Sequence, residues 1–294
     1  MIVTAGIVFD NRSQLTRANV YNETHAMDTA DTASNLVVRE SRQNVAIVRV
    51  NRPDRKNAIT VDMLATIVRY LTEIEEDEGA TALIFTGTGD TFLSGLDVGK
   101  VTTRVQEMDP KTWRDFRALN NRMFETIYRM KIPTVAAING TCVTNGFSLA
   151  LASDVRIAST DAKFRIGFRR VGLMPSPSIC YLLPHLVGLG RAKLLTLTDR
   201  MLSASEALDI GLVDELAAPE DLKGRAVNLA KSMASAPPLM VAATKEAMNQ
   251  AYGLDFDLLR RQVDYMQFML GRTEDHAEAM RAIGERRPPR FIGK

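Results

Sequence analysis

Residues 135–150 read VAAINGTCVTNGFSLA. The stretch opens as an apolar run of strand type, Val135-Ala136-Ala137-Ile138. It breaks into small and polar residues from Asn139 to Gly146, then resumes as a short apolar segment, Phe147 to Ala152, that reads as a buried helix. A strand feeding a tight turn and then a helix aims backbone N–H groups at one point. Unsatisfied donors and the helix dipole at such a start hold negative charge, permanent or developing. The expectation is that this turn forms half of an oxyanion site.

Working outward, strand and helix patterns alternate. Leu36-Val37-Val38 and Val45 to Val50 read as two strands across a polar turn. Asn51 to Asn57 is a loop, with Pro53 blocking continuation of the strand. Thr60 caps a predicted helix whose Val61, Leu64, Ile67, Val68, Leu71 and Ile74 recur at helical spacing. Ala82 to Phe85 is a short buried strand. The segment Thr86 to Asp97 reads as a loop, and its Gly87-x-Gly89 lacks the third glycine of a dinucleotide fingerprint. Residues 111–130 predict a helix with Trp113, Phe116, Leu119, Met123, Ile127 and Met130 on one face, read as core or lid. Val155 to Ala158 and Lys163 to Ile166 are further strands, so an α/β core is expected. Beyond Pro177 the chain reads as mostly helical. Ser203-x-x-Glu206 has the capping-box pattern, Leu212-Val213 reads as a brief strand, and three amphipathic helices follow Pro237.

Composition narrows the function classes. The chain has 294 residues, 46% hydrophobic and 24% charged, with a net charge of +2. That balance suits a soluble globular protein and gives no reason to expect nucleic acid as a partner. The basic end, Arg286-Arg287-Pro288-Pro289-Arg290, reads as a solvated tail. Two cysteines and three scattered histidines offer neither a disulfide framework nor metal-ligand spacing. No apolar run reaches membrane-spanning length, so a cytoplasmic protein with no membrane contact is expected. Residues 1–35 lack periodicity and read as a flexible N-terminal extension. The expected organisation is this extension, an α/β core over 36–235, and a helical region over 236–294.

Several segments in order resemble the enoyl-CoA hydratase/isomerase (crotonase) superfamily. They are Asn51-Arg52-Pro53 with Asn57-Ala58, Phe92 to Val98, Ile132-Pro133 leading to Ile138-Asn139-Gly140, and Ala152-Ser153-Asp154. Gly172-Leu173-Met174-Pro175, Leu212-Val213-Asp214 and the Arg286-to-Phe291 tail complete the set. The resemblance implies a crotonase-like spiral of β-β-α turns with a C-terminal helical trimerisation region, assembled as a trimer or hexamer. It implies an acyl-CoA ligand, with coenzyme A entering as part of the substrate and no separate cofactor or metal. By matching motifs, the N–H groups of Leu96 and Asn145 would hold the thioester oxygen. Arg55, Lys56 and Ala58, with Ser94, Asp97, Val98 and Gly99, would lie along the coenzyme A arms.

The chain departs from the family where proton transfer is expected. Hydratases carry two glutamates because adding water to a double bond needs one proton taken and one delivered. The matching positions here are Ser148 and Phe168, and the acid position used by some isomerases is Ser176. Phe168 is expected to form an apolar wall for the acyl chain. Asn145 stands where the family usually has glycine, and asparagine tolerates left-handed backbone angles. Three readings stay open. One is an enzyme that relies on enolate stabilisation, with Ser148 and Ser176 as hydrogen-bonding groups and Arg165, Arg169 or Arg170 pairing with a substrate carboxylate. Another is a catalytically inactive acyl-CoA carrier or sensor. The third draws its acid from elsewhere, such as Asp115, Glu125 or Asp264. The third is a hydratase or isomerase by that route; on the reading preferred here, ordinary hydratase activity is expected to be weak or absent. His185 and Cys142 are expected to be structural.

Overall fold

The structure, a computed structural model, describes residues 35–97 and 108–294. Most of the expected extension, and the Val98 and Gly99 positions, lie outside the described residues. Strand β1 (Val37–Arg42) pairs antiparallel with β2 (Val45–Val50), and helix α1 (Val61–Glu76) follows. Thr60 caps α1, its side chain accepting from the Met63 N–H. Strands β3 (Ala82–Gly87) and β4 (Thr91–Leu93) lead to α2 (Pro110–Arg129). Strands β5 (Thr134–Ile138) and β6 (Thr141–Val143) lead to α3 (Asn145–Ala152). Strands β7 (Val155–Ser159) and β8 (Lys163–Arg165) lead through a 3-10 turn to α4 (Pro177–Val187).

The first turn of this β-β-α spiral keeps both its strands in one sheet, and each of the next three places its first strand in that sheet and its second in another. The larger sheet has the order β1-β2-β3-β5-β7-β10, where β10 is Glu215–Ala217. The smaller has the order β4-β6-β8-β9, where β9 is Leu202–Ser203. From β2 onward the large sheet is parallel, with Ile84 opposite Val135 and Val135 opposite Val155. Both its faces are covered, which is why β5 reads as a continuous apolar run. Ala136 and Ile138 join the main core with α1, α2 and α3. Val135 and Ala137 face the opposite way, toward Leu222, Ala226 and Ala230 of a later helix.

After α4 come α5 (Leu189–Thr198) and α6 (Ala204–Asp209), the latter opened by the capping box of Ser203 and Glu206. Helix α7 (Leu222–Ala234) carries the alanine face just described. Helices α8 (Pro238–Gln250), α9 (Phe256–Leu270) and α10 (Glu274–Glu285) end the chain.

The structure corrects three local expectations. Leu212 and Val213 are buried in a turn, and the strand begins at Glu215. The stretches 86–97 and 139–146 each contain a three-residue strand, β4 and β6, too short to display a period of two. Helix α7 was not expected. The basic tail is exposed, as expected, and is also tethered to α10: Arg287 pairs with Glu278, and Asp275 accepts from the N–H groups of Ile292 and Gly293.

Candidate active site

The spiral brings the Leu96 turn and the start of α3 together. Strands β4 and β6 are parallel neighbours, Leu93 opposite Cys142, so the chain leaves both strands in the same direction. Leaving β4 it forms Ser94 to Asp97. Leaving β6 it forms Thr144 and enters α3. The Gly95 carbonyl accepts from Ile59 N–H at 2.8 Å and the Asp97 N–H donates to the Ile59 carbonyl at 2.9 Å. This ladder uses the groups on either side of Leu96 and leaves the Leu96 N–H without a partner among the described residues. Asn145 is the first residue of α3, so its N–H is one of the unsatisfied donors of a helix start.

The unusual backbone angle expected at Asn145 lies one residue earlier. Thr144 has φ 48° and ψ −108°, and Asn145 has no positive φ. The Asn145 side chain turns toward α2, where its Nδ2 donates to Asn120 Oδ1 at 2.6 Å. Both residues are buried, at 4% and 1% exposure. Asn120 is a partner the sequence reading missed. Its signal was a polar residue four after Phe116 and three before Met123, on the face of α2 that packs inward.

Ser148 and Ser176, far apart in sequence, meet with their hydroxyl oxygens 2.7 Å apart. Both are buried. Ser148 lies one helical turn beyond Thr144, and its hydroxyl donates to the Thr144 carbonyl at 3.1 Å. Ser176 is the N-cap of α4, its Oγ accepting from Ile179 N–H at 3.3 Å. With Ser148 donating to Thr144, the Ser176 proton is directed to Ser148. The hydroxyl pair then closes on itself and on the backbone.

Phe168 opens the 3-10 turn Phe168–Val171, flanked by Gly167 and Gly172 at positive φ. It is part-buried against the main core. The Gly167 N–H donates to the buried Asp199 at 2.6 Å, which fixes this turn on the end of α5. Arg170 pairs with the same Asp199, and Arg169 donates to the Thr198 carbonyl. Arg165 faces Val143 across the β6–β8 pair, and its buried Nε has no hydrogen-bond partner among the described residues.

The Asn51–Ala58 loop is tied to the Leu96 turn by Arg52, whose Nη1 reaches Asp97 at 2.7 Å and the Ala58 carbonyl at 2.9 Å. Arg55 and Lys56 are exposed on that loop. Ser94 uses its carbonyl to accept from Thr144 Oγ1 at 3.2 Å.

The remaining polar candidates lie elsewhere. Asp115 pairs with Lys111, Asp264 with Arg260, and each pair is exposed on its own helix; Glu125 is exposed as well. Cys142 is fully buried, and burial pushes its thiol pKa up, away from the reactive thiolate. His185 stacks on Tyr252 with ring centroids 3.8 Å apart. It lines a cavity of about 710 Å³ beside the last residues of α3 and α4, whose lining includes neither Ser148 nor Ser176. Among the described residues no helix is long and apolar enough to cross a membrane, and no group of three or more potential metal ligands occurs.

Comparison with known proteins matches this architecture. The family model described as Enoyl-CoA hydratase/isomerase matches residues 40–294. The chain is 34% identical to the short-chain-enoyl-CoA hydratase of Clostridium acetobutylicum, over 86% of this chain and 96% of that protein. It is 30% identical to the 1,2-epoxyphenylacetyl-CoA isomerase of Escherichia coli, over 88% of this chain and 99% of that protein. The crystal structure of an enoyl-CoA hydratase from Bacillus anthracis superposes with a TM-score of 0.82 at 28% identity, covering 88% of this chain and 100% of that one. With its sheet order, its β-β-α spiral and these matches, the chain belongs to the enoyl-CoA hydratase/isomerase (crotonase) family.

Proposed function

We propose that the chain binds an acyl-CoA thioester where the Leu96 and Asn145 turns meet, and stabilises the enolate of that thioester. The observation that carries this reading is the pair of backbone N–H groups, Leu96 and Asn145, each without a partner among the described residues, on two turns in contact. Fixed donors of this kind act on charge that develops during reaction, and loss of one typically costs roughly 10² to 10³ in rate. The relatives' names support the ligand class, since both named enzymes act on coenzyme A thioesters. The Asn51–Ala58 loop and the Ser94–Asp97 turn, joined through Arg52, would border the coenzyme A arms, with Arg55 and Lys56 free to meet phosphate.

Hydration is a poor fit. Ser148 and Ser176 replace titratable acids with hydroxyls that bond each other, and Phe168 has no proton to exchange. Chemistry that needs only an enolate fits better. In decarboxylation of a carboxyacyl-CoA, the electrons of the carbon–carbon bond move into the enolate and carbon dioxide leaves, so no strong base is required. An acyl group bearing a carboxylate would find a cation in Arg165 on β8, opposite Val143. Binding without turnover is the second reading, favoured by the closed hydroxyl pair. Self-association as a trimer or hexamer belongs to the same proposal. Met248, Tyr252, Phe256, Tyr265 and Phe268 leave large apolar surfaces exposed on and between the C-terminal helices.

The test mixes the pure protein with crotonyl-CoA, with malonyl- and methylmalonyl-CoA, and with butanoyl-CoA. Calorimetric binding of butanoyl-CoA with slow loss of the crotonyl absorbance is expected. Rapid hydration of crotonyl-CoA overturns the proton-transfer argument. Failure of every thioester to bind overturns the ligand class. Carboxyacyl-CoA consumption at turnover rates excludes the binding-only reading.

A further inference from the structure

Thr144 is the common neighbour of the turns that surround the two free donors. A Cβ built on Gly95 would stand 1.8 Å from Thr144 Oγ1, and one built on Gly167 would stand 2.5 Å from Thr144 Cγ2. One side chain therefore fills the space between the loop that carries Leu96 and the loop that carries Phe168, and both glycines are required by that approach. The Thr144 hydroxyl also donates to the Ser94 carbonyl at 3.2 Å.

The backbone of Thr144 is held in a region that a β-branched residue rarely adopts. Such a conformation persists only where the surroundings over-determine it, and it concentrates at functional sites. Here the residue after each contact point is a donor: Leu96 follows Gly95, and Asn145 follows Thr144. The Leu96 peptide is gripped on one side by the Ile59 ladder and on the other by the Thr144 side chain. The Asn145 peptide begins at Thr144 itself.

From this geometry we infer that Thr144 is a positioning residue whose side chain sets the separation of the Leu96 and Asn145 N–H groups. The inference rests on the oxyanion reading proposed above. A thioester oxygen held by both donors is polarised only if their spacing is kept, and the wedge between Gly95 and Gly167 keeps it. Hydroxyl and methyl both contribute, the first by bonding Ser94 and the second by touching Gly167.

The experiment reads polarisation directly and needs no turnover. Butanoyl-CoA carrying carbon-13 at the thioester carbonyl is bound to the full chain, and its carbonyl stretch is recorded by difference infrared spectroscopy. The unsubstituted protein is expected to move the band to lower wavenumber than in water. Thr144→Gly removes the wedge and suits the local backbone, so the chain folds while the shift falls to roughly half or less. Thr144→Ser keeps the bond to Ser94 and is expected to keep most of the shift. Thr144→Ala removes hydroxyl and methyl alike, and reads the same spacing should the glycine variant not fold. The dissociation constant of free coenzyme A, which has no thioester carbonyl, is expected to stay unchanged in all three. An undiminished shift in both Thr144→Gly and Thr144→Ala overturns the role of Thr144. No shift in the unsubstituted protein, with butanoyl-CoA bound, overturns the oxyanion reading instead.

Discussion

The amide pair behind the candidate oxyanion turn makes a quantitative prediction. Asn145 Nδ2 donates to Asn120 Oδ1 at 2.6 Å, with both residues almost wholly buried. Asn120→Leu keeps the branched heavy-atom skeleton of the side chain and removes the acceptor. The buried amide of Asn145 is then left unpaired, a loss of about 1–3 kcal/mol. For a chain of this size that lowers the thermal midpoint by roughly 2–12 °C. Asn145→Ala removes the donor and leaves the Asn120 carbonyl unpaired, at a similar cost. The double variant strands neither group, so it should be more stable than the two single losses imply, by a coupling of about 1–2 kcal/mol. The backbone N–H at 145 is present in every variant. Butanoyl-CoA should therefore bind the double variant about as tightly as the unsubstituted chain. Calorimetric unfolding with calorimetric titration reads both quantities. An unchanged midpoint for Asn120→Leu, or strict additivity in the double variant, would refute the argument that this pair is a buried, mutually dependent hydrogen bond.

Two further outcomes follow from the charged groups. Lys245 Nζ lies 2.6 Å from Asp154, which also accepts from the Thr134 N–H, and burial lowers the Lys245 pKa against the pull of Asp154. Asp154→Ala should cost about 3 kcal/mol in urea unfolding at neutral pH. That penalty should shrink as pH rises toward 10.5, the ordinary lysine value, because the unfolded chain then holds the proton that the folded one sheds. Glu278 is held down to about 2 by hydrogen bonds from Arg287 and from the Arg290 N–H. Its contribution is complete above its ordinary 4.5 and is lost as pH falls through about 2. The stability difference between the unsubstituted protein and Glu278→Gln should therefore narrow across that window, and a constant difference would sink the linkage.

The fold was legible where burial imposes a period. Alternation on β2, β3 and β5 sends successive apolar residues into two cores, and Thr60 and Ser203 announce their helices with caps that the structure contains. Of the second sheet only β8 was legible, as the apolar-centred Lys163–Arg165 stretch; β4, β6 and β9 have three residues or fewer and derive their pairing from neighbours distant in sequence. The same division runs through the site. The Leu96 and Asn145 turns were readable as local glycine-rich segments. Asn120, Asp199 and the Ser148–Ser176 contact arise only from three-dimensional closure. Thr144 escaped notice for another reason. Its importance lies in the space between Gly95 and Gly167, and no pattern in the chain reports such a space.

The hydroxyl pair limits what the site can do. Two protons serve Ser148 and Ser176, and the nearby acceptors include the Thr144 carbonyl and the hydroxyl oxygens themselves. In one arrangement Ser148 donates to Thr144 and Ser176 donates to Ser148, so neither proton faces a ligand. In the other, Ser148 donates to Ser176, and the Ser176 proton becomes free to meet the acyl group. The exchange gives up the Ser148–Thr144 bond, a cost of about 0.5–1.5 kcal/mol that a ligand hydrogen bond can offset. Even then Ser176 supplies a neutral donor, since an unassisted hydroxyl is far too weak an acid or base to complete hydration near neutral pH. The pair can therefore orient or polarise a thioester without titrating. On the oxyanion reading proposed above, the chemical burden then falls on the backbone donors, and the separation that we infer Thr144 to set should matter more here than in a site that also owns a carboxylate.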